Sequence, residues 1–188
     1  MREESVVRMP PAFTIETERT LIVPTPTEAL ERREDLDEFE IDLEIDGTVV
    51  PVRVPPSWPG DRLEGLPDIL DLRRQGLPEP WNGIVVDRAL LEAVGQIGCT
   101  GRPDAFGVVE VRYATVEGHR DRGVATEAGG AFVDWLLEQT DVAAVVAECL
   151  VTNAASVRVL EKTGFELAEE REDEGGRLLR WVKRRPEH

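Results

Sequence analysis

Residues 142–150, VAAVVAECL, constrain this chain more than any other stretch. An apolar run of that length reads as a strand covered on both faces, and such strands lie parallel to a neighbour. Parallel neighbours need a crossover, usually a helix, and it is right-handed. The flanking sequence supplies the parts. FGVVEVRYAT (106–115) reads as a strand. VATEAGGAFVDWLLEQT (124–140) has apolar residues at 125, 128, 132, 135 and 136, the spacing of one helix face. NAASVRVLEKTG (153–164) reads as a second helix with Gly164 as its stop. Strand, helix, strand, helix, strand in that order gives an α/β chain on an open sheet.

The rest of the chain is read from local pattern. Residues 13–23 form an extended edge segment, followed by a loop with Pro24 and Pro26. Thr27 is placed to cap a helix running to about Arg33. FEIDLEID (39–46) alternates strictly, and Asp46-Gly47 then leads into TVVPVRV, the pattern of a hairpin. A helix through 28–43 competes, because Leu36, Phe39 and Leu43 also share a helical face. PPSWPGD (55–61) is a rigid loop, and 66–75 a short helix. GIVVDR (83–88) and AVGQIGC (93–99) read as adjacent strands, and FELAEERE and RLLRWVKR as a terminal pair. The basic stretch Arg180 to His188 reads as a frayed end.

Composition narrows the class. The 188 residues, 41% hydrophobic, suit one domain over 1–188 with a single sizeable core. There is no run of eighteen apolar residues and no apolar leader, so neither a membrane span nor a secretory signal is expected. Cys99 and Cys149 lack metal spacing and read as buried free thiols in a reducing cytoplasm. The net charge of −16 argues against nucleic acid as a partner. It favours either a cationic substrate or plain solubility.

HRDRGVATEA (119–128) follows a strand and opens a helix. A helix start leaves backbone N–H groups unpaired and favours anions. Gly123 lets the main chain approach a phosphate with no Cβ in the way. Arg120 to Thr126 therefore reads as a pyrophosphate cradle, with an ordinary capped helix as the plainer alternative. It is neither a P-loop nor a dinucleotide fingerprint, because Gly-Lys-Ser/Thr and GxGxxG are both absent.

Three motifs stand in register. Arg120-Asp121-Arg122-Gly123-Val124-Ala125 fits R-x-x-G-x-A, after a strand carrying E-V-R-Y at 110–113. Asn153-Ala154-Ala155-Ser156 and LEKTGF (160–165) follow. In this order they resemble the GNAT superfamily of N-acetyltransferases, and more closely its branch related to ribosomal-protein N-terminal acetyltransferases. The resemblance covers roughly residues 80–170. It implies a mixed α+β fold: a mostly antiparallel twisted sheet flanked by helices, with a V-shaped splay between two central parallel strands. It also implies acetyl-CoA as co-substrate. Backbone amides from Asp121 through Arg122, Gly123, Val124 and Ala125 to Thr126, beside Arg120, would hold the pyrophosphate. Tyr113, Ala114 and Thr115 match the strand segment that pairs with pantetheine, and Asn153 matches a side chain touching the same arm. Arg112, Glu117 and Asp121 depart from the pattern, standing where glycine, proline and glycine are usual. Arg120 and Arg122 are placed to neutralise Asp121.

The implied reaction is direct attack of a primary amine on a thioester. The amine must first lose a proton, and the oxyanion needs a backbone N–H donor. Glu148, five residues before Asn153, matches a base position in that branch, and a charge interrupting an apolar run is costly to bury unpaired. Glu110 on the neighbouring strand also matches an acid near the acceptor. The plainer readings are a Glu148 satisfied by an arginine such as Arg112 and a half-exposed Glu110. His119 is a third candidate. Ser156 takes the general-acid role in this branch, Leu160 standing where many relatives have tyrosine. Glu127 and Glu161 read as a helix-dipole partner and a solvated residue. Trp58 and Trp81 read as core or as pocket walls. The expected partners are acetyl-CoA and an amine acceptor, small molecule or protein N-terminus, with a homodimer left open. A catalytically inactive acyl-CoA sensor of the same fold is the alternative.

Overall fold

The computed structural model describes residues 13–45, 47–60, 66–77, 79–173 and 175–186. Its elements are β1 (Ile15–Glu16), β2 (Thr20–Pro24), α1 (Thr27–Asp35), β3 (Phe39–Ile45), β4 (Thr48–Val54), α2 (Leu66–Arg74) and β5 (Asn82–Asp87). They continue with β6 (Glu92–Cys99), β7 (Val108–Thr115), α3 (Val124–Glu138), β8 (Ala144–Leu150), α4 (Ala154–Lys162), β9 (Glu166–Asp173) and β10 (Gly176–Arg184). The sheet runs β1-β2-β5-β6-β7-β8-β10-β9, and the β3–β4 hairpin joins it at β6. It is antiparallel except for the β7–β8 pair and a single β4–β6 bridge.

Both faces of the sheet are covered, which is why the apolar run of β8 is a strand. Val145, Ala147 and Cys149 pack with Phe132 and Leu136 of α3 and Leu160 of α4. Ala144 and Val146 turn the other way, against Val182. A second apolar cluster joins Leu30 of α1, Ile41 and Val52 of the hairpin, Trp58 and Leu70 of α2 over β5 and β6.

The two competing readings of 28–43 each hold for part of the segment. The helix stops at Asp35, and Leu36, 47% exposed, contributes nothing to a shared face. The hairpin then runs from Phe39↔Val54 to Ile45↔Thr48. Strict alternation decides it: Phe39, Ile41 and Leu43 are buried while Glu40, Asp42 and Glu44 face water. Two expectations are corrected. Thr27 does not cap α1; Pro26 holds that position without a side-chain bond, and the Thr27 hydroxyl accepts from Arg73. The basic end is not frayed through Arg184, because β10 pairs with β8 and β9 and buries Leu179, Trp181 and Val182.

The feature that positions the site is an interruption of pairing. The β7–β8 ladder runs only from Val108↔Ala144 to Glu110↔Val146. Beyond it β7 remains paired with β6 through Thr115, and β8 with β10 through Leu150. The facing edges of residues 111–115 and 147–150 share no ladder. This is the expected splay.

Candidate functional site

Two cavities meet at the splay. The larger, about 520 Å³, lies between the end of β7, the start of α3 and the first turns of α4. The smaller, about 300 Å³, lies under α2 against β5, β6 and β7. Tyr113 and Ala114 line both.

The larger cavity is built on the turn after β7. A 3-10 turn, Glu117–His119, leads into Arg120–Gly123. Asp121 adopts a left-handed conformation at φ 57° and Gly123 another at φ 81°. Left-handed residues in a tight turn aim main-chain N–H groups into a common concavity that suits anions. Gly123 caps α3 without any side-chain bond, so no side chain competes for the first amides of the helix. Asp121, Gly123, Val124, Ala125 and Thr126 line this cavity with Arg120, as do Thr115, Asn153 and Ser156. Arg122 does not; its carbonyl accepts from Arg19 Nη1 at 2.9 Å.

Arg19 was not singled out in the sequence, and it fastens the turn from behind. Its guanidinium also bonds Glu127 of the first turn of α3, at 2.6 Å from Nε, and its backbone N–H reaches the same carboxylate at 2.8 Å. The Thr17 hydroxyl adds a 2.5 Å bond. Burial alone raises the Glu127 carboxyl, but the hydrogen bonds from Thr17 and Arg19 outweigh it, and the net shift is downward. Glu127 is thus a tie between the β1–β2 turn and α3, as well as a charge at a helix start.

The cations at the mouth come from two elements. Arg120 donates to the Thr115 carbonyl at 3.3 Å. Arg158 and Lys162 of α4 line the same cavity, and Arg158 stands 4.0 Å from Asp121. Asn153 caps α4, its Oδ1 accepting the Ser156 N–H at 3.1 Å. His119 is buried, with Nε2 3.2 Å from Glu92 Oε1, while Arg53 holds the other Glu92 oxygen at 2.6 Å.

The two candidate bases have different surroundings. Both are on the face of β7 and β8 that carries Val108 and Val146. Glu148 lies directly opposite Arg180 on β10, and the two bond at 2.8 Å. Arg171 of β9 takes its second oxygen at 3.0 Å. Its partners are therefore on the terminal hairpin, whereas Arg112 bonds Glu110 at 3.0 Å. Glu148 lines neither cavity. Glu110 lines neither itself, but two lining residues of the smaller cavity reach it: Arg112, and Thr100 at a long 3.5 Å.

The smaller cavity holds residues that the sequence reading passed over. Asn82 and Gln96, 4% and 8% exposed, line it beside Ile69, Leu72 and Ile97. A polar residue inside an apolar strand, as in AVGQIGC, is the same signal that drew attention to Glu148. Cys99 also lines it, but burial, followed by the Glu110 charge, pushes its thiol up to about 12. A thiol held protonated is a poor nucleophile. Trp58 and Trp81 are core residues, and the Trp58 indole N–H donates to the Gly95 carbonyl at 3.1 Å.

Known proteins agree with this architecture. The family model described as "Acetyltransferase (GNAT) domain" matches residues 29–166. An uncharacterized N-acetyltransferase of Bacillus subtilis, YjdG, is 33% identical over 114 residues, which is 59% of this chain and 68% of that protein. Among solved structures, a ribosomal-protein-S5-alanine acetyltransferase from Vibrio fischeri superposes with a TM-score of 0.64 at 15% identity, covering 92% of this chain and 97% of that one. RimL, a ribosomal L7/L12 alpha-N-protein acetyltransferase solved in complex with coenzyme A, gives 0.64 at 13% identity over 92% and 98% of the two chains. A spermidine N-acetyltransferase SpeG chimera from Vibrio cholerae and hSSAT gives 0.65 at 12% identity over 89% and 96%. With the family model matched over residues 29–166, well over half of the chain, and a relative 33% identical, the chain belongs to the GNAT acetyltransferase family and is an acetyltransferase enzyme.

Proposed function

We propose that this enzyme transfers an acetyl group from acetyl-CoA to a primary amine, with the cofactor in the larger cavity and the amine in the smaller. One observation carries the reading: the two cavities share only Tyr113 and Ala114, beside the point where the β7–β8 ladder ends. Two reactants held on either side of that wall gain the entropic advantage of proximity. The larger cavity fits a phosphorylated cofactor on its own chemistry, through the left-handed turn at Asp121 and Gly123 and the cations Arg120, Arg158 and Lys162. The main-chain groups of 111–115 and 147–150 left outside the ladder suit an extended amide-bearing arm. When bound, acetyl-CoA supplies the thioester that the amine attacks.

Glu110 receives the proton of the amine, relayed along Thr100, and Arg112 holds its carboxylate in place. Glu148 is a structural acid that ties β8 to β9 and β10. Ser156, on the wall of the larger cavity, is placed to return a proton to the leaving thiolate.

The experiment is a coenzyme A release assay on the full chain, with acetyl-CoA affinity measured by calorimetry. Glu110→Gln is expected to cut the rate roughly 10²-fold at neutral pH, with partial recovery at high pH where the amine deprotonates unaided. Glu148→Gln is expected to lower stability by about 1–2 kcal/mol, the worth of a lost charged hydrogen bond, without that pH rescue. A pH-rescued defect in Glu148→Gln alone would reverse the assignment. Absence of acetyl-CoA binding at millimolar concentration would remove the reading altogether.

A further inference from the structure

We infer that the smaller cavity takes a single amine on an uncharged body, and that Asn82 and Gln96 are the residues that hold its nitrogen. The inference rests on the acetyl-transfer reading above. The Asn82 Nδ2 donates to the Pro80 carbonyl at 3.2 Å. A carbonyl can only accept, so the orientation of that amide is fixed and Oδ1 is left over. The Gln96 Nε2 bonds the Thr25 hydroxyl at 2.8 Å. Asn82 Oδ1 and Gln96 Oε1 are buried and have no hydrogen-bond partner among the described residues. A buried acceptor without a donor forfeits its hydration with nothing in return, and native proteins keep few of them. A primary amine brings N–H donors to the place where two such oxygens stand. The register brings them to the reaction point, since Gln96 lies opposite Ala114, one of the two described residues common to both cavities. Asn82 lies opposite Gly98 on the next strand.

Both amides are held rigidly. The Thr25 hydroxyl, on a residue 1% exposed, accepts from Gln96 Nε2, and the Thr25 N–H donates to the Asn82 carbonyl at 3.3 Å. Its own carbonyl accepts from Arg73 at 2.7 Å, and Arg73 is clamped to buried Glu79 at 2.8 Å. Asn82 and Gln96 are therefore positioning groups set before the amine arrives.

The body of the substrate follows from the walls. Among the described lining residues, Asp68 is the one acid and Arg112 the one base, and Arg112 is paired with Glu110. Ile69, Leu72, Pro80 and Ile97 supply the rest of the contact. Polycations need several carboxylates along their length. The described walls offer a single one, although the whole chain carries −16.

The test uses the full chain and begins with acetyl-CoA binding by calorimetry, which checks the underlying reading separately. Coenzyme A release is then measured with benzylamine, Ala-Leu-Gly amide, spermidine and kanamycin. One of the first two is expected to exceed both polycations at least tenfold in kcat/KM. Asn82→Leu and Gln96→Leu are expected to raise the KM of that amine roughly tenfold each, about one hydrogen bond, with acetyl-CoA affinity unchanged. Gln96→Glu, which keeps an acceptor oxygen, should restore the KM. Melting curves report whether the leucine variants fold, and the wild-type ranking stands without them. The inference is overturned if spermidine or kanamycin leads, or if a protein that binds acetyl-CoA turns over neither monoamine. Folded leucine variants with an unchanged amine KM would also overturn it, the two oxygens then facing water only.

Discussion

At the scale of single residues, the turn before α3 carries an unusual choice. A left-handed residue with a Cβ costs about 1–2 kcal/mol, least for aspartate and asparagine, and Asp121 at φ 57° occupies such a place. Its carboxylate also faces the side where anions are expected. Asp121→Gly should therefore tighten acetyl-CoA binding several-fold with little change in melting temperature, as calorimetry and thermal melts can check. Gly123→Val should do the reverse. A Cβ there meets Arg19 Nη2 at 3.2 Å, so the substitution disturbs the clamp behind the turn as well as the strained φ of 81°. A stability loss of about 1–3 kcal/mol is expected together with weaker binding. Glu127 gives a pH signature. Its carboxyl titrates below the ordinary 4.5, so its stabilisation is fully present above that value and is lost as pH falls through its lowered folded value. In Glu127→Gln, stability measured by denaturant titration should fall less steeply below pH 4.5 than in wild type.

At the scale of elements, the wall between the cavities depends on two glycines pressed against β7. A Cβ on Gly95 would lie 2.6 Å from the Ala114 carbonyl oxygen, and one on Gly60 would lie 3.0 Å from the Ala114 Cβ. Gly95→Ala should push β6 from β7 and cost about 1–3 kcal/mol, with a larger loss of turnover than of acetyl-CoA affinity. Melts and rate measurements on one preparation separate the two. Most of these elements were legible in the sequence, because their signal is local. Alternation sets β3, helical spacing sets α3, and an unbroken apolar run sets β8. The segment 28–43 was ambiguous because a short helix and a strand follow each other with no glycine or proline between them. The terminal basic stretch carried two readings, a frayed end over Arg180 to His188 and a strand over RLLRWVKR, because its charges stand among the inward Trp181 and Val182. The turn that opens α3 at Gly123 was legible for the same local reason. Arg19 behind it, Arg158 across from it, and the Thr25–Gln96 link were not, since each pairs segments far apart in the chain.

At the scale of the whole molecule, charge is unevenly placed. The outer strand β9 presents exposed Glu169, Glu170 and Glu172, which discourages edge-to-edge pairing there. A net charge of −16 also repels itself, and salt screens that repulsion over about 10 Å at 0.1 M. The melting temperature is therefore expected to rise between low salt and about 0.5 M KCl, and a fall would mean that the ion pairs outweigh the repulsion. The interrupted β7–β8 ladder has a different kind of consequence. Its open edges are main chain, identical whatever side chains the two strands carry. Substitution can rewrite Tyr113, Thr115 or Cys149 without erasing the slot, provided the strands still part after Glu110 and Val146. A slot made of backbone is thus fixed by geometry and not by side-chain identity. Solved chains that agree with this one at 12–15% of positions share its fold.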